Sequence, residues 1–152
     1  MKEQSGRSLI EMLGVMAIAG VMTAGAIKMY QVVRTRQVHM MAAEKMKTIA
    51  LNTKLLYAAR SNYNGISIDY LIKSGVMTCG KSPLTGTILS FTENPGSKEF
   101  AMVFSGLDYK DCIWMTTLKT DWVSKFSVNG YFESASTYCE EDEKNEVQVW
   151  VK

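Results

Sequence analysis

From Leu9 to Ile27 the chain reads LIEMLGVMAIAGVMTAGAI, nineteen residues with one charge, Glu11. As a helix rising 1.5 Å per residue, such a run reaches about 28 Å, close to the hydrocarbon thickness of a bilayer. A secretory signal peptide has a shorter apolar region, about 7–15 residues, ending at a small-residue cleavage site. Here the small-residue triplet Ala17-Ile18-Ala19 lies in the middle of the run, and an acidic residue interrupts it. The buried helix of a soluble protein is a poor match for so long a stretch with so little charge. Glu11 is the informative residue. A carboxylate at membrane depth costs roughly 2.5–3.5 kcal/mol on insertion scales, so it needs a partner or a role. Arg7, one turn earlier, is the basic residue nearest on the same face, and a local Arg7–Glu11 pair is the plainest reading.

The rest of the chain is a different material. Its 152 residues carry a net charge of +2, which lacks the basic bias of a nucleic-acid partner. A mean hydropathy of −0.04 looks like an ordinary soluble domain. That average hides an asymmetry: eight of the 11 methionines precede residue 47, and all three tryptophans follow residue 113.

Beyond Ile27 neither proline nor glycine occurs until Gly65, and the sequence stays compatible with a helix to about Asn62. Val38, Ala42, Met46, Ile49, Thr53 and Leu56 recur every three or four residues. They make one apolar stripe, with Glu44, Lys47 and Lys54 on the other side. This pattern predicts that the second half of the helix lies on a globular head. Gly14, Gly20 and Gly25 fall in the first half, where small residues let helices approach closely.

The head reads as α+β. Ser61-Asn62-Tyr63-Asn64-Gly65 is a stop and turn. Ile68–Ser74 forms a short helix, with Ser67 as N-cap and Gly75 past its end. Thr87–Thr92 and Glu99–Ser105 are strand-like, and Pro95-Gly96 between them suits a type II turn, so a hairpin is expected. Asp108–Leu118 reads as a helix capped by Asp108. Val147–Val151 alternates as a final strand. Trp114, Trp122, Tyr131, Phe132, Tyr138 and Trp150 are expected mostly in the core. The fold class is therefore α+β: a long N-terminal helix, transmembrane in one half and amphipathic in the other, packed on an antiparallel sheet.

Gly6-Arg7-Ser8-Leu9-Ile10-Glu11-Met12-Leu13, followed by the apolar run, resembles the processing motif of type IV prepilins. In that family a short charged leader ends in glycine, and a membrane-embedded prepilin peptidase cuts after it and N-methylates the new first residue. The resemblance implies a leader at 1–6, a transmembrane and filament-core helix half at 7–35, an amphipathic half at 36–62 and a globular α+β head at 63–152. The cut would fall between Gly6 and Arg7, with Arg7 the N-methylated residue. Arg7 departs from the family's usual phenylalanine or methionine. Glu11 becomes the filament-assembly residue. Its carboxylate would pair with the N-terminal amine of a neighbouring subunit, relieving the cost of holding it in the membrane.

Three cysteines in an exported head allow one disulfide and leave one thiol over. From the residues alone, Cys79 could pair with either of the others. Phe104-Ser105-Gly106-Leu107 leading to Cys112, and Cys139 before Asn145-Glu146-Val147-Gln148-Val149-Trp150, are similar to the layout of type IVb-like pilins, including bundle-forming and thin-pilus conjugative ones. That resemblance implies a Cys112–Cys139 disulfide and a free Cys79.

No CxxC occurs and the sole histidine is His39, so no metal site is expected. Glu140-Glu141-Asp142-Glu143 reads as a solvated loop. No nucleophile–histidine–acid set or phosphate-binding glycine loop is present, so neither an enzyme nor a cofactor is expected. The implied function is a structural pilin. Its partners would be copies of itself, the prepilin peptidase, the inner-membrane assembly machinery and the membrane before assembly, with no specific nucleic acid. It would cross the inner membrane once, then join an extracellular pilus or fimbrium, or a periplasmic pseudopilus. The alternative is a minor pilin or pseudopilin of a type II secretion or DNA-uptake system; Glu11 favours a subunit of the filament body. The filament's task stays open among adhesion, aggregation, motility, conjugation, secretion and DNA uptake.

Overall fold

The computed structural model describes residues 3–60, 62–94, 98–118, 120–132, 135–141 and 144–152, with side chains from Ser8 onward. The chain falls into two compact units, Met1–Met40 and Met41–Lys152. The described residues of the first are all helical. The second holds the end of that helix and everything after it.

Helix α1 runs Glu3–Leu56. Within the second unit, Ala42, Met46, Ile49, Ala50 and Thr53 are buried, and Leu56 is half-buried. The expected stripe is therefore the face that enters the core, widened by Ala50. The helix stops short of the expected end near Asn62 without any proline or glycine. Tyr57 N still donates to Thr53 O at 3.1 Å, but Ala58 N turns to Leu55 O at 3.2 Å and Arg60 N to Tyr57 O at 2.8 Å. This tightening to three-residue bonds turns Tyr57 into an aromatic cluster. Its ring lies 5.2 Å from Tyr63 and 5.9 Å from Tyr70, and Tyr63 lies 4.7 Å from Phe100. The Arg60 guanidinium sits 5.3 Å from the Tyr57 ring centre. Packing ends this helix; local breaking residues do not.

Helix α2 (Ile68–Lys73) has the expected cap, Ser67 accepting from Tyr70 N, and Gly75 follows with φ +76°. That left-handed conformation is the one glycine adopts without strain. Strands β1 (Ile88–Glu93) and β2 (Phe100–Leu107) form the expected antiparallel hairpin. Its Pro95-Gly96 turn lies outside the described residues. Helix α3 (Tyr109–Thr116) is capped by Asp108, whose carboxylate accepts from Asp111 N at 2.8 Å.

Two further strands complete the sheet, β3 (Val123–Val128) and β4 (Asn145–Val151). The order is β1-β2-β4-β3, antiparallel throughout. The last strand in sequence thus sits inside, between β2 and β3. Its Val147, Val149 and Val151 are fully buried beside Phe104, Met102 and Phe100 of β2. These residues, the α1 stripe, Leu71, Leu84, Leu107 and Met115 make one core. A bulge at Gly106, φ +87°, shifts the register between Ser105 and Leu107 and ends the pairing just before α3.

β3 is an addition to the elements expected from sequence. It ends in a two-residue turn at Asn129-Gly130, both with positive φ, closed by Val128 N to Tyr131 O at 2.9 Å and Tyr131 N to Val128 O at 2.8 Å. A 3-10 turn at Ala135–Tyr138 follows. The turn corrects one core expectation. Trp122 and Trp150 are buried and Trp114 half-buried, but Tyr131, Phe132 and Tyr138 lie on the surface. Tyr131 and Tyr138 stack on each other at 4.1 Å.

Candidate functional site

In the first unit, every described side chain from Ser8 to Gln37 is exposed. Ile10 is 72% exposed, Val21 76% and Met29 73%. From Leu9 to Ile27 apolar residues ring the helix on all sides, so covering one face would leave apolar surface on the others. α1 is long and apolar enough over this stretch to cross a membrane. Thr23 Oγ1 donates to Ala19 O at 2.8 Å. Its hydroxyl is thereby satisfied inside the helix, as an apolar environment requires. A Cβ placed on Gly14, Gly20 or Gly25 would meet nothing within 4 Å. These glycines leave flat patches on the helix.

Glu11 is exposed and makes no ion pair or hydrogen bond among the described residues. Gly6 and Arg7 belong to α1 by backbone, and their side-chain surroundings lie outside the described residues. His39 is half-buried near the end of this unit.

In the second unit a covalent and polar clasp holds the start of β4. Cys112, in α3, and Cys139, after the 3-10 turn, form a disulfide with S–S 2.01 Å and Cα–Cα 5.9 Å. Cys79 is free and exposed. Beside the disulfide Asn145 is 1% exposed. Its Oδ1 accepts from Glu140 N at 2.7 Å and from Asn129 Nδ2 at 3.2 Å. Its Nδ2 donates to Glu140 O at 2.9 Å and to Leu107 O at 3.5 Å. Asn129 also donates to Tyr138 O at 2.9 Å and accepts from Glu146 N at 2.9 Å. Two asparagines thus lash the β3 turn, the 3-10 turn and the ends of β2 and β4 together. Asn129-Gly130 was the sequence signal for this device.

Burial raises the Tyr57 hydroxyl above its ordinary pKa, with a further push from Tyr70, and burial alone raises Tyr63. Neither tyrosine has an acid–base partner that suggests chemistry. Among the described residues no group of three or more His, Cys, Asp or Glu side chains is placed to hold a metal.

The long helix, the four-stranded sheet with its last strand inside, and the clasp invite comparison with known proteins. No family model matches the chain. The toxin coregulated pilin of Vibrio cholerae is 28% identical over 128 residues, covering 75% of this chain and 57% of the relative. The version from V. cholerae serotype O1 is 27% identical over the same length. The crystal structure of TcpA, a type IV pilin from V. cholerae El Tor biotype, superposes with a TM-score of 0.61 at 15% identity. It covers 76% of this chain and 99% of that one. By fold the chain is similar to a type IV pilin, and by sequence it is similar to the toxin coregulated pilins. It spans 57% of the length of the curated pilins it matches. In this chain α1 supplies both the exposed segment and the core stripe, and the clasp secures the start of β4, which lies between β2 and β3.

Proposed function

We propose that this chain is the structural subunit of a type IV pilus, made as a prepilin and polymerised through the first half of α1. The observation that carries the reading is an exposed helix, Ser8–Gln37, whose Leu9–Ile27 run carries one charge, on a chain with the pilin fold. Such a surface is stable only in lipid or among copies of itself. In this reading residues 1–6 are the leader, 7–35 the membrane and filament-core half, 36–62 the amphipathic half and 63–152 the head. A prepilin peptidase cuts between Gly6 and Arg7, and the amine of Arg7 is methylated. The subunit waits in the inner membrane as a single span. Assembly machinery then moves it into an extracellular filament, where Glu11 meets the N-terminal amine of a neighbour. The charge that is costly alone becomes half of a pair.

The test is shearing of cells that make the chain. High-molecular-weight filaments containing it, with an N-terminus at methylated Arg7, are the expected result. Glu11→Ala should be cut normally and yield no filaments. Wild-type chain found only in membranes would overturn the reading, and normal filaments from Glu11→Ala would overturn the role of that residue.

A further inference from the structure

Two Asn-Gly pairs occur in the chain, Asn64-Gly65 and Asn129-Gly130. This dipeptide carries chemistry of its own. The backbone nitrogen of the glycine can attack Cγ of the asparagine, because no side chain on the glycine crowds the approach. Each pair fills the centre of a tight turn in the second unit. Ile66 N donates to Tyr63 O at 3.1 Å across the first, and Tyr131 N to Val128 O at 2.8 Å across the second. Both glycines are exposed and have positive φ, +80° and +89°.

The asparagines differ. Asn64 is exposed, and among the described residues its side chain makes no hydrogen bond. Asn129 is half-buried, and its amide is held at both ends. Nδ2 donates to Tyr138 O at 2.9 Å and to Asn145 Oδ1 at 3.2 Å, and Oδ1 accepts from Glu146 N at 2.9 Å. To swing Cγ toward Gly130 N, the side chain has to break all three bonds. The Cys112–Cys139 disulfide maintains them. Tyr138 precedes Cys139, and Glu140, whose backbone N and O both bond to Asn145, follows it. Opening the disulfide therefore loosens two partners of the Asn129 amide at once.

We propose that the clasp decides which pair is modified: Asn64 deamidates in the folded head, and Asn129 only in chains whose Cys112–Cys139 bond is open. In the first step the glycine nitrogen bonds to Cγ, the Cγ–Nδ2 bond breaks, and the glycine N–H proton leaves with the amide nitrogen as ammonia. Water then opens the succinimide ring at either carbonyl, giving aspartate or isoaspartate. Neither step needs an oxidant or an enzyme. The two sites differ in consequence. At position 64 a negative charge is added to an exposed turn. At position 129 the product lacks the donor that Tyr138 O and Asn145 Oδ1 receive, and sets a carboxylate against those acceptors. Isoaspartate also lengthens the backbone of the two-residue turn. A head left unclasped is thereby locked out of the clasped state. The inference goes beyond the filament reading and does not depend on it.

The test incubates the full-length chain in detergent micelles at mildly alkaline pH and follows both peptides by mass spectrometry. With the disulfide intact, Asn64 should convert at least about tenfold faster than Asn129, the scale expected when the three bonds must break first. With a thiol reductant present, Asn129 should approach the rate of Asn64. Asn145→Ala keeps both cysteines and removes one partner of the Asn129 amide, so it should speed Asn129 without reductant. Equal rates in the intact chain, or an Asn129 rate unmoved by both reductant and Asn145→Ala, would overturn the proposal. In urea the two pairs should convert alike; a gap that persists there would place the difference in the flanking residues and overturn the role of the clasp. Asn129→Asp, reduced and then reoxidised, should regain the disulfide at least about tenfold more slowly than wild type. Equal recovery would overturn the lock at this position.

Discussion

Residues 8–37 of α1 leave every side chain exposed, whereas residues 41–56 bury Ala42, Met46, Ile49, Ala50 and Thr53. Both stretches belong to one continuous helix and both are rich in methionine and aliphatic residues. What separates them is arrangement. In the second stretch charges such as Glu44 and Lys47 stand opposite the apolar stripe, so one face matches a core and the other matches water. In the first, apolar residues occupy every direction from Leu9 to Ile27, and surroundings that are apolar on all sides suit that run. Backbone bonding makes the helix in both; the distribution of charge around the axis decides which solvent each half needs.

The sharpest way to break this comparison is a matched pair of truncations. Phe104→Ala, at a fully buried position in β2, should cost about 3–5 kcal/mol and lower the head's melting temperature. Leu13→Ala, at 60% exposure, should leave that melting temperature unchanged and alter only membrane retention or filament yield. Equal effects on head stability would erase the distinction. Cys139→Ser should follow at about 3–4 kcal/mol, read by thermal melting, because it opens a loop with a separation of 27 residues. The same substitution should leave membrane insertion untouched.

The smallest effect sharpens the boundary between the two stretches. Among the described residues the buried Tyr57 hydroxyl has no hydrogen-bond partner. Tyr57→Phe should therefore be neutral or stabilising by up to about 1 kcal/mol. Burial raises the Tyr57 and Tyr63 pKa values above 10.0, so the unfolded chain loses these protons first. Below pH 10 the groups are neutral in both states. Stability falls as pH rises past 10 toward their folded values. An alkaline melt of Tyr57→Phe should show a shallower fall than wild type; an identical slope would remove Tyr57 from the effect.

Much of the fold was legible because its signals are local. The uninterrupted run to Gly65 and the stripe from Ala42 to Thr53 mark α1, Ser67 and Asp108 mark the caps, and alternation marks β4. β3 was obscured for a physical reason. The register shifts between Val123 and Lys125, so the inward residues Val123, Phe126 and Val128 are spaced by three and then two, which breaks the two-residue alternation of a regular strand. Asn129-Gly130 was the cue that remained. The end of α1 was hidden because it depends on Tyr63, Tyr70 and Phe100, all remote from Leu56 in the helix pattern. The surface position of Tyr131 and Phe132 follows from the same turn. Of the candidate site, the apolar run and Glu11 stand out by composition, while the Asn129–Asn145 clasp depends on residues brought together only by the sheet.

The inner position of β4 also sets an order of events during synthesis. β1 and β2 can pair as soon as both have left the ribosome, but β4, the strand that β3 pairs with among the described residues, has not yet been made when β3 emerges. Cys112 likewise waits for Cys139. The growing head is therefore held incomplete until its latest strand arrives and slides between two earlier ones. In the proposed reading the apolar segment near the start has by then long been available to lipid, so anchorage would precede closure of the sheet.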